Sequence, residues 1–287
     1  PMSMNQSDTI SVDFTPTYRA LLGDTKKMEL YLVGAGGTGS ALAGSLARIL
    51  YHARQKGKAV SLTIIDPDIV TEKNIGRQVF CKAECGYPKS SSLVLRLNAA
   101  FGLDVRAITQ PFASSMAVSG YNSPTTKKLL IGCVDNYRAR QELARTVEEG
   151  GGNTWWLDAG NAYHSGNIYI GNAVRPDRIT VDEALRLCSG LPSPAVQDPA
   201  LLAPDPPAPE PTADLSCADL TLREEQSLMV NTMMAAIAAN YCYQWVIGGE
   251  LTSLATAVTL EPPAMTSRWI TGEALRSAFG LPEEKKP

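Results

Sequence analysis

At 287 residues with 44% hydrophobic content, the chain can bury a full core, as one large domain or as one domain with an appendage. A net charge of −3 without a basic stripe excludes a nucleic-acid footprint, and no apolar run approaches the ~18 residues that read as a membrane span. The N-terminal PMSMNQSDTI lacks the charged-then-apolar pattern of a secretory signal, and six scattered cysteines include no C-x-x-C pair, so the expectation is reduced thiols in a cytoplasm.

Residues 1–27 read as an N-terminal arm. Met28–Val33 is a short apolar run ending in glycine, the pattern of a parallel strand buried on both faces. Thr38–Arg54 turns helical, with Leu42, Leu46, Ile49 and Leu50 on one face. A strand over Ala59–Ile65, a helix over Lys89–Phe101 and strands over Asp104–Thr109 and Lys128–Val134 follow. A helix from Tyr137 to about Glu149 then precedes strands near Thr154–Leu157 and Gly166–Ile170. This alternation predicts a doubly wound, Rossmann-like α/β fold with a mostly parallel sheet and right-handed crossovers, its core over 28–191. Cys188 ends a predicted helix. Residues 192–214 hold eight prolines with almost no apolar periodicity, which predicts an extended, mobile crossover loop. Residues 215–287 complete the same domain: a long Met- and Ala-rich helix over Glu224–Ile247, its Met stripe in the core, and one short hairpin from Leu254–Leu260 and Ser267–Ile270.

The motifs sit in the first half. YLVGAGGTGS, Tyr31–Ser40, puts Gly34, Gly36, Gly37 and Gly39 in the first strand-to-helix turn, where bare backbone lets phosphates approach a helix N-terminus. Asp66 at the end of the second strand can bind ribose hydroxyls. Both features suit a dinucleotide as well as ATP. DPDIVTEKNIGRQVF then sets Asn74, Arg77 and Gln78 directly after that strand, and Lys89 follows in GYPKS. Taken singly these cations read as surface residues. An enzyme that cleaves a triphosphate needs them, because charge builds on phosphate oxygens in the transition state. CVDNYRAR places Asp135 at the carboxyl end of a parallel strand, where one carboxylate can hold Mg2+ with phosphates or cap the next helix.

In order and spacing, G-x-G-G-x-G, D-x-D-x-V-x-x-x-N-I-x-R-Q, the later lysine and C-V-D-N resemble the ThiF/MoeB family, bacterial relatives of ubiquitin-activating enzymes, from about Met28 to Ile247. NIGRQ, WLDAGNAYHSGNIYIGN and LSCADLTLREEQSLMVN are most similar to the ThiF-type proteins of the ParB-related, ThiF-related cassette (PRTRC), which also encodes a small ubiquitin-like protein and a metalloprotease-like partner. The resemblance implies ATP-dependent adenylation of the C-terminal glycine carboxylate of a small ubiquitin-like or sulfur-carrier protein. Gly34, Gly36, Gly37 and Gly39 would hold ATP and Asp66 its ribose. Asn74, Arg77 and Lys89 would grip the triphosphate with Gln78 adjacent. Asp135 would anchor Mg2+, and Asn136 would shape the same pocket. The family's N-terminal arginine, sometimes supplied by a partner subunit, has a candidate in Arg19, whose other reading is an exposed helix residue. A homodimer and a downstream transfer protein are further implied partners. Many members bind zinc through two C-x-x-C pairs; this chain has neither, so no zinc is expected.

Some members pass the activated protein to a cysteine as a thioester. Cys133 in a predicted strand and Cys242 in a helix read as inert core thiols, while Cys81 and Cys85 lie near the basic residues but off the family's transfer position. Cys217, in DLSCADL, follows the proline-rich loop near the start of a helix whose dipole lowers a thiol pKa, and it matches that position; its other reading is a structural thiol. Two further classes stay open. A nicotinamide-dependent (NAD(P)) oxidoreductase would have only His52 and His164 as proton relays, and a non-catalytic nucleotide-binding scaffold would have shed the basic residues.

Overall fold

A computed structural model describes residues 15–118, 123–162, 164–204 and 217–282, the last stretch without side chains over 217–227. The first half contains β1 (Arg19–Leu21), β2 (Lys27–Val33), α1 (Gly37–Gln55), β3 (Ala59–Ile65), α2 (Lys89–Phe101), β4 (Arg106–Ile108), α3 (Ser115–Val118), β5 (Thr126–Gly132) and α4 (Tyr137–Glu149). The second contains β6 (Thr154–Asn161), β7 (Ser165–Gly171), β8 (Val181–Asp182), β9 (Leu187–Cys188), α5 (Pro194–Gln197), α6 (Cys217–Tyr243), β10 (Glu250–Leu251), β11 (Ser253–Leu260), β12 (Pro263–Trp269) and α7 (Gly272–Ala278).

The main sheet runs β12-β11-β7-β6-β5-β2-β3-β4. From β6 to β4 the strands are parallel; β7, β11 and β12 extend the sheet antiparallel. The carboxyl halves LYLV of β2 and LLIG of β5 are apolar without alternation, and LTII of β3 is interrupted only by the buried Thr63, because both faces of a doubly covered sheet are dry. Leu30 and Leu32 of β2 point to the face covered by α1, α2 and α6, where Leu42, Leu46, Leu93, Val230 and Met234 pack. Tyr31 and Val33 point to the other face, covered by Ala117 of α3 and Leu143 and Val147 of α4. Val33 pairs with Ile65 on one side and with Gly132 on the other. The three central strands therefore end at one level, and the loops that follow open into one crevice.

A smaller sheet, β10-β1-β9-β8, lies beside the first. It changes the expected N-terminal arm. From Tyr18 onward the chain is core, with Ala20 and Leu22 buried and Tyr18 N–H donating to the Ile270 carbonyl; residues 1–14 lie outside the described residues. It also corrects the helix expected to end at Cys188, which instead belongs to β9 and pairs with Ala20 of β1. The segment has helix-forming residues, but pairing with a distant strand overrides local propensity.

The proline-rich segment departs from expectation as well. Its first part packs: α5 and a 3-10 turn over Pro199–Leu202 each take a proline at the first helical positions, where a missing N–H costs nothing. Ala195, Leu201 and Leu202 rest against the second core cluster. The rest of the expected loop, 205–216, lies outside the described residues. The long helix starts at Cys217 rather than near Glu224 and continues into a π-helical turn over Gln244–Gly248. Its methionines divide, Met234 buried and Met229 and Met233 exposed, so the stripe expected in the core is only partly there.

Candidate active site

The crevice beyond the carboxyl ends of β2, β3, β5 and β6 holds a cavity of about 760 Å3. Its floor is the glycine turn, and crowding accounts for three of its four glycines. Gly34 has φ of 92°, in the left-handed region, and a Cβ there would stand 2.5 Å from the Cys133 carbonyl oxygen. A Cβ on Gly39 would collide with the Gly34 carbonyl, and one on Gly37 with the Asn231 carboxamide. Gly36 is different: nothing lies within 4 Å of where its Cβ would be. It is the N-cap of α1 and offers no side-chain cap, so the N-terminal N–H groups of α1 face the cavity that Gly36, Gly37 and Thr38 line.

Asp66, only 5% exposed, is engaged at both oxygens: Ala35 N–H donates at 2.6 Å and Asp68 N–H at 2.9 Å. Burial raises its carboxyl above the ordinary carboxylate range. Asp66 thus tethers the glycine turn to the end of β3, and the more open acid in the cavity is Asp68, whose side chain is 65% exposed and pairs with Lys89 at 3.0 Å. The second aspartate of D-x-D was the available signal for it. Lys89 opens α2 and is itself buried against this partner.

Arg77 and Gln78 also line the cavity. Asn74 does not. Its Oδ1 accepts from Thr71 N–H at 2.8 Å and Thr71 Oγ1 at 3.0 Å, closing the turn over Glu72–Asn74 that presents Arg77 and Gln78. The structure places the Asn74 carboxamide in this turn and outside the cavity lining. Gln78 Oε1 is buried with no hydrogen-bond partner among the described residues. On the opposite wall stand Asp135 and Asn136. Asn136 Oδ1 caps α4 by accepting from Ala139 N–H at 2.9 Å; Asp135 is exposed to the cavity.

Two residues not foreseen complete the wall. Arg138 follows from α4. Asn231, on α6, accepts at Oδ1 from Thr38 Oγ1 at 3.0 Å and from Asn161 Nδ2 at 2.7 Å, joining α1, β6 and α6 above the glycine turn. Arg19 is not in this wall; it pairs with Glu250 at 2.8 Å on the small sheet. His52 and His164 are absent from the lining too, which leaves a hydride-transfer reading without its candidate relays.

Cys133 lines the cavity, but burial pushes its thiol well above the ordinary cysteine range. Burial likewise pushes Cys188 to about 11 and Cys242 to about 12, so neither is a ready nucleophile. Cys81 is exposed and Cys85 half-buried, both outside the cavity. Cys217 begins α6, and its side chain lies outside the described residues. Among the described residues no three His, Cys, Asp or Glu side chains converge as a metal cluster, and no helix is long and apolar enough to cross a membrane.

The pattern that defines the ThiF family matches residues 13–271. The fold is similar to that of PaaA at 14% identity and a TM-score of 0.52, covering 86% of this chain and 65% of that one. It is similar to E. coli MccB solved with ATP at 13% identity and a TM-score of 0.52, with coverage of 86% and 65%. The same protein solved with MccA-N7isoASN gives 14% identity, a TM-score of 0.51 and coverage of 86% and 65%. The chain thus spans about 65% of the length of these structures. No curated protein matches the sequence.

Proposed function

The chain belongs to the ThiF family, and on that premise we propose that it activates the C-terminal carboxylate of a polypeptide by adenylation with ATP. The observation that carries this is the single cavity in which the N-terminus of α1, beside Gly36 and Gly37, faces Arg77 and Lys89 from one wall and Asp135 from the other. A carboxylate oxygen of the substrate bonds to the α-phosphorus, the bond from that phosphorus to the bridging oxygen breaks, and pyrophosphate leaves with the electron pair. The helix N-terminus, Arg77, Lys89 and Arg138 offset the charge that develops on phosphate oxygens. Asp68 is the open acceptor for ribose hydroxyls, with Asp66 holding the turn behind it.

The donor set fits Mg2+. The cavity mixes Arg77, Lys89 and Arg138 with Asp66, Asp68, Asp135 and Glu142, so it suits a triphosphate accompanied by a cation better than a bare polyanion. Mg2+ is commonly held by one or two carboxylates plus phosphate oxygens, and Asp135 is the carboxylate available. Bound there, the ion would neutralise phosphate charge.

The substrate we infer is a small ubiquitin-like or sulfur-carrier protein, consistent with the solved pairing of E. coli MccB with MccA-derived ligands. In a second step the Cys217 thiolate attacks the acyl carbon, a thioester forms, and AMP leaves; a downstream transfer protein then takes the acyl group. The working unit is a cytoplasmic homodimer. ATP with Mg2+ should raise the unfolding temperature where NAD does not. Asp135→Ala should keep the fold yet lower Mg2+-dependent ATP–pyrophosphate exchange at least a hundredfold. Stabilisation by NAD alone, or wild-type exchange in the variant, would refute the assignment.

A further inference from the structure

We propose that a second cavity, beside the first, is a specificity pocket for a cationic side chain, arginine or lysine, of the polypeptide whose carboxylate is activated; the inference rests on the adenylation reading above. This cavity, of about 190 Å3, is lined by Arg140, Asp158, Asn161, Asn167, Tyr169 and Asp198, among others. Asn161 is also a wall of the nucleotide cavity, so a chain delivering its carboxylate there passes this opening.

The pocket is built around a buried acid. Asp158, on β6, is only 1% exposed. Its Oδ1 meets Nε of Arg140 at 3.2 Å, while its Oδ2 has no hydrogen-bond partner among the described residues. Gly160 lies against both groups with no side chain, and a Cβ there would stand 3.2 Å from that Oδ2 and 3.0 Å from Arg140 Nη2. A buried acceptor without a donor is unfavourable, so an occupant that donates to Oδ2 is rewarded. Asp198 adds a second carboxylate from the packed start of the proline-rich segment, held by the Tyr169 hydroxyl at 3.3 Å and by Ala200 N–H at 3.2 Å. Two carboxylates face one guanidinium, leaving one net negative charge. A neutral donor satisfies Oδ2 but leaves that charge; a cation answers both. The volume admits a guanidinium or ammonium with its stem and is too small for a second nucleotide.

The groups that set the pocket's charge are Arg140 on α4, Asp158 on β6, Tyr169 on β7 and Asp198 beside α5. Burial raises the Asp158 carboxyl to about 6 despite Arg140. Its negative charge is therefore complete at pH 8 and mostly lost at pH 5, and cation binding should weaken about tenfold between them.

The test titrates the full chain with butylguanidinium chloride, and with butylurea as the neutral isostere, following amide shifts by NMR. Saturable binding of butylguanidinium alone is expected, at least tenfold weaker in Asp158→Asn and in Asp198→Asn; the second variant is partly exposed and keeps the test valid should the first misfold. A second arm separates a polypeptide side chain from a free amine. Acetylated hexapeptides ending in Gly-Gly, with one arginine at each upstream position or alanine throughout, are compared in pyrophosphate exchange. One arginine position should lower KM at least tenfold with kcat unchanged, and Asp198→Asn should erase that gain. Absence of saturable butylguanidinium binding, or no arginine position better than alanine, overturns the proposal. Intact butylguanidinium binding with no exchange from any polypeptide would instead sink the adenylation reading and leave the cation site standing.

Discussion

Gly36 and Gly39 look equivalent in the sequence, yet they answer to different forces. Gly39 is glycine because the Gly34 carbonyl occupies the space a side chain needs. Gly36 is glycine with open space before it, facing the cavity. Gly39→Ala should therefore destabilise the fold by roughly 1–3 kcal/mol through overpacking, whereas Gly36→Ala should keep its melting temperature and lose most of the ATP-induced shift. Thermal unfolding with and without ATP measures both. Asp158 gives a pH prediction with a definite sign. Burial lifts its native carboxyl from 3.8 to about 6, with Arg140 opposing and Asp198 assisting the lift. Between those values the native state binds more protons than the unfolded chain, so stability is greatest below about 4 and is lost as pH rises through 6. The loss attributable to this group is on the order of 2 kcal/mol. Denaturant titrations at pH 4 and pH 7 should show that difference shrinking in Asp158→Asn.

Among the elements, β3, α2 and α4 begin and end where the pattern predicts, because a buried strand writes a short run rich in Val, Leu and Ile and a half-buried helix writes a 3.6-residue period. Arg77 and Lys89, read from the motifs NIGRQ and GYPKS, both line the cavity. What depends on distant partners was not legible. β9 exists because Leu187 pairs with Arg19. Asn231 reaches the site because α6 crosses back over α1, placing it against Thr38 from 193 positions away. The contact between Asn74 and Thr71 was not legible either, because a carboxamide that can touch phosphate can equally close its own turn. The packing of α5 was hidden by prolines that, at first-turn positions, start helices instead of breaking them. The element-level prediction concerns α6: Cys217→Ala should abolish a thiol-sensitive adduct with the cognate carrier yet leave pyrophosphate exchange intact. Survival of the adduct in that variant would move the thiol chemistry to another residue.

At the scale of the molecule, the outer face of α6 exposes Met229, Met233 and Tyr243, and Tyr51 of α1 is exposed as well. A row of large apolar side chains on two helices that already pack together suits a closed two-fold contact. Light scattering should give twice the chain mass, and Met233→Glu should shift it toward one; a wild-type chain of single mass at all concentrations would remove the claim. The same helix has one more consequence. Asn231 pins α6 to the cavity wall, and Cys217 stands fourteen residues upstream on the same rod. At 1.5 Å of rise per residue the two are ~21 Å apart along the axis, many times the ~3–3.5 Å at which a thiolate can strike an acyl carbon. On the reading proposed above, an intact α6 would thus be a ruler that sets the start of the helix and the cavity wall far apart. On the thioester reading proposed above, making the mixed anhydride and consuming it would be successive shapes of one molecule, with the first four turns of the helix as the clock between them.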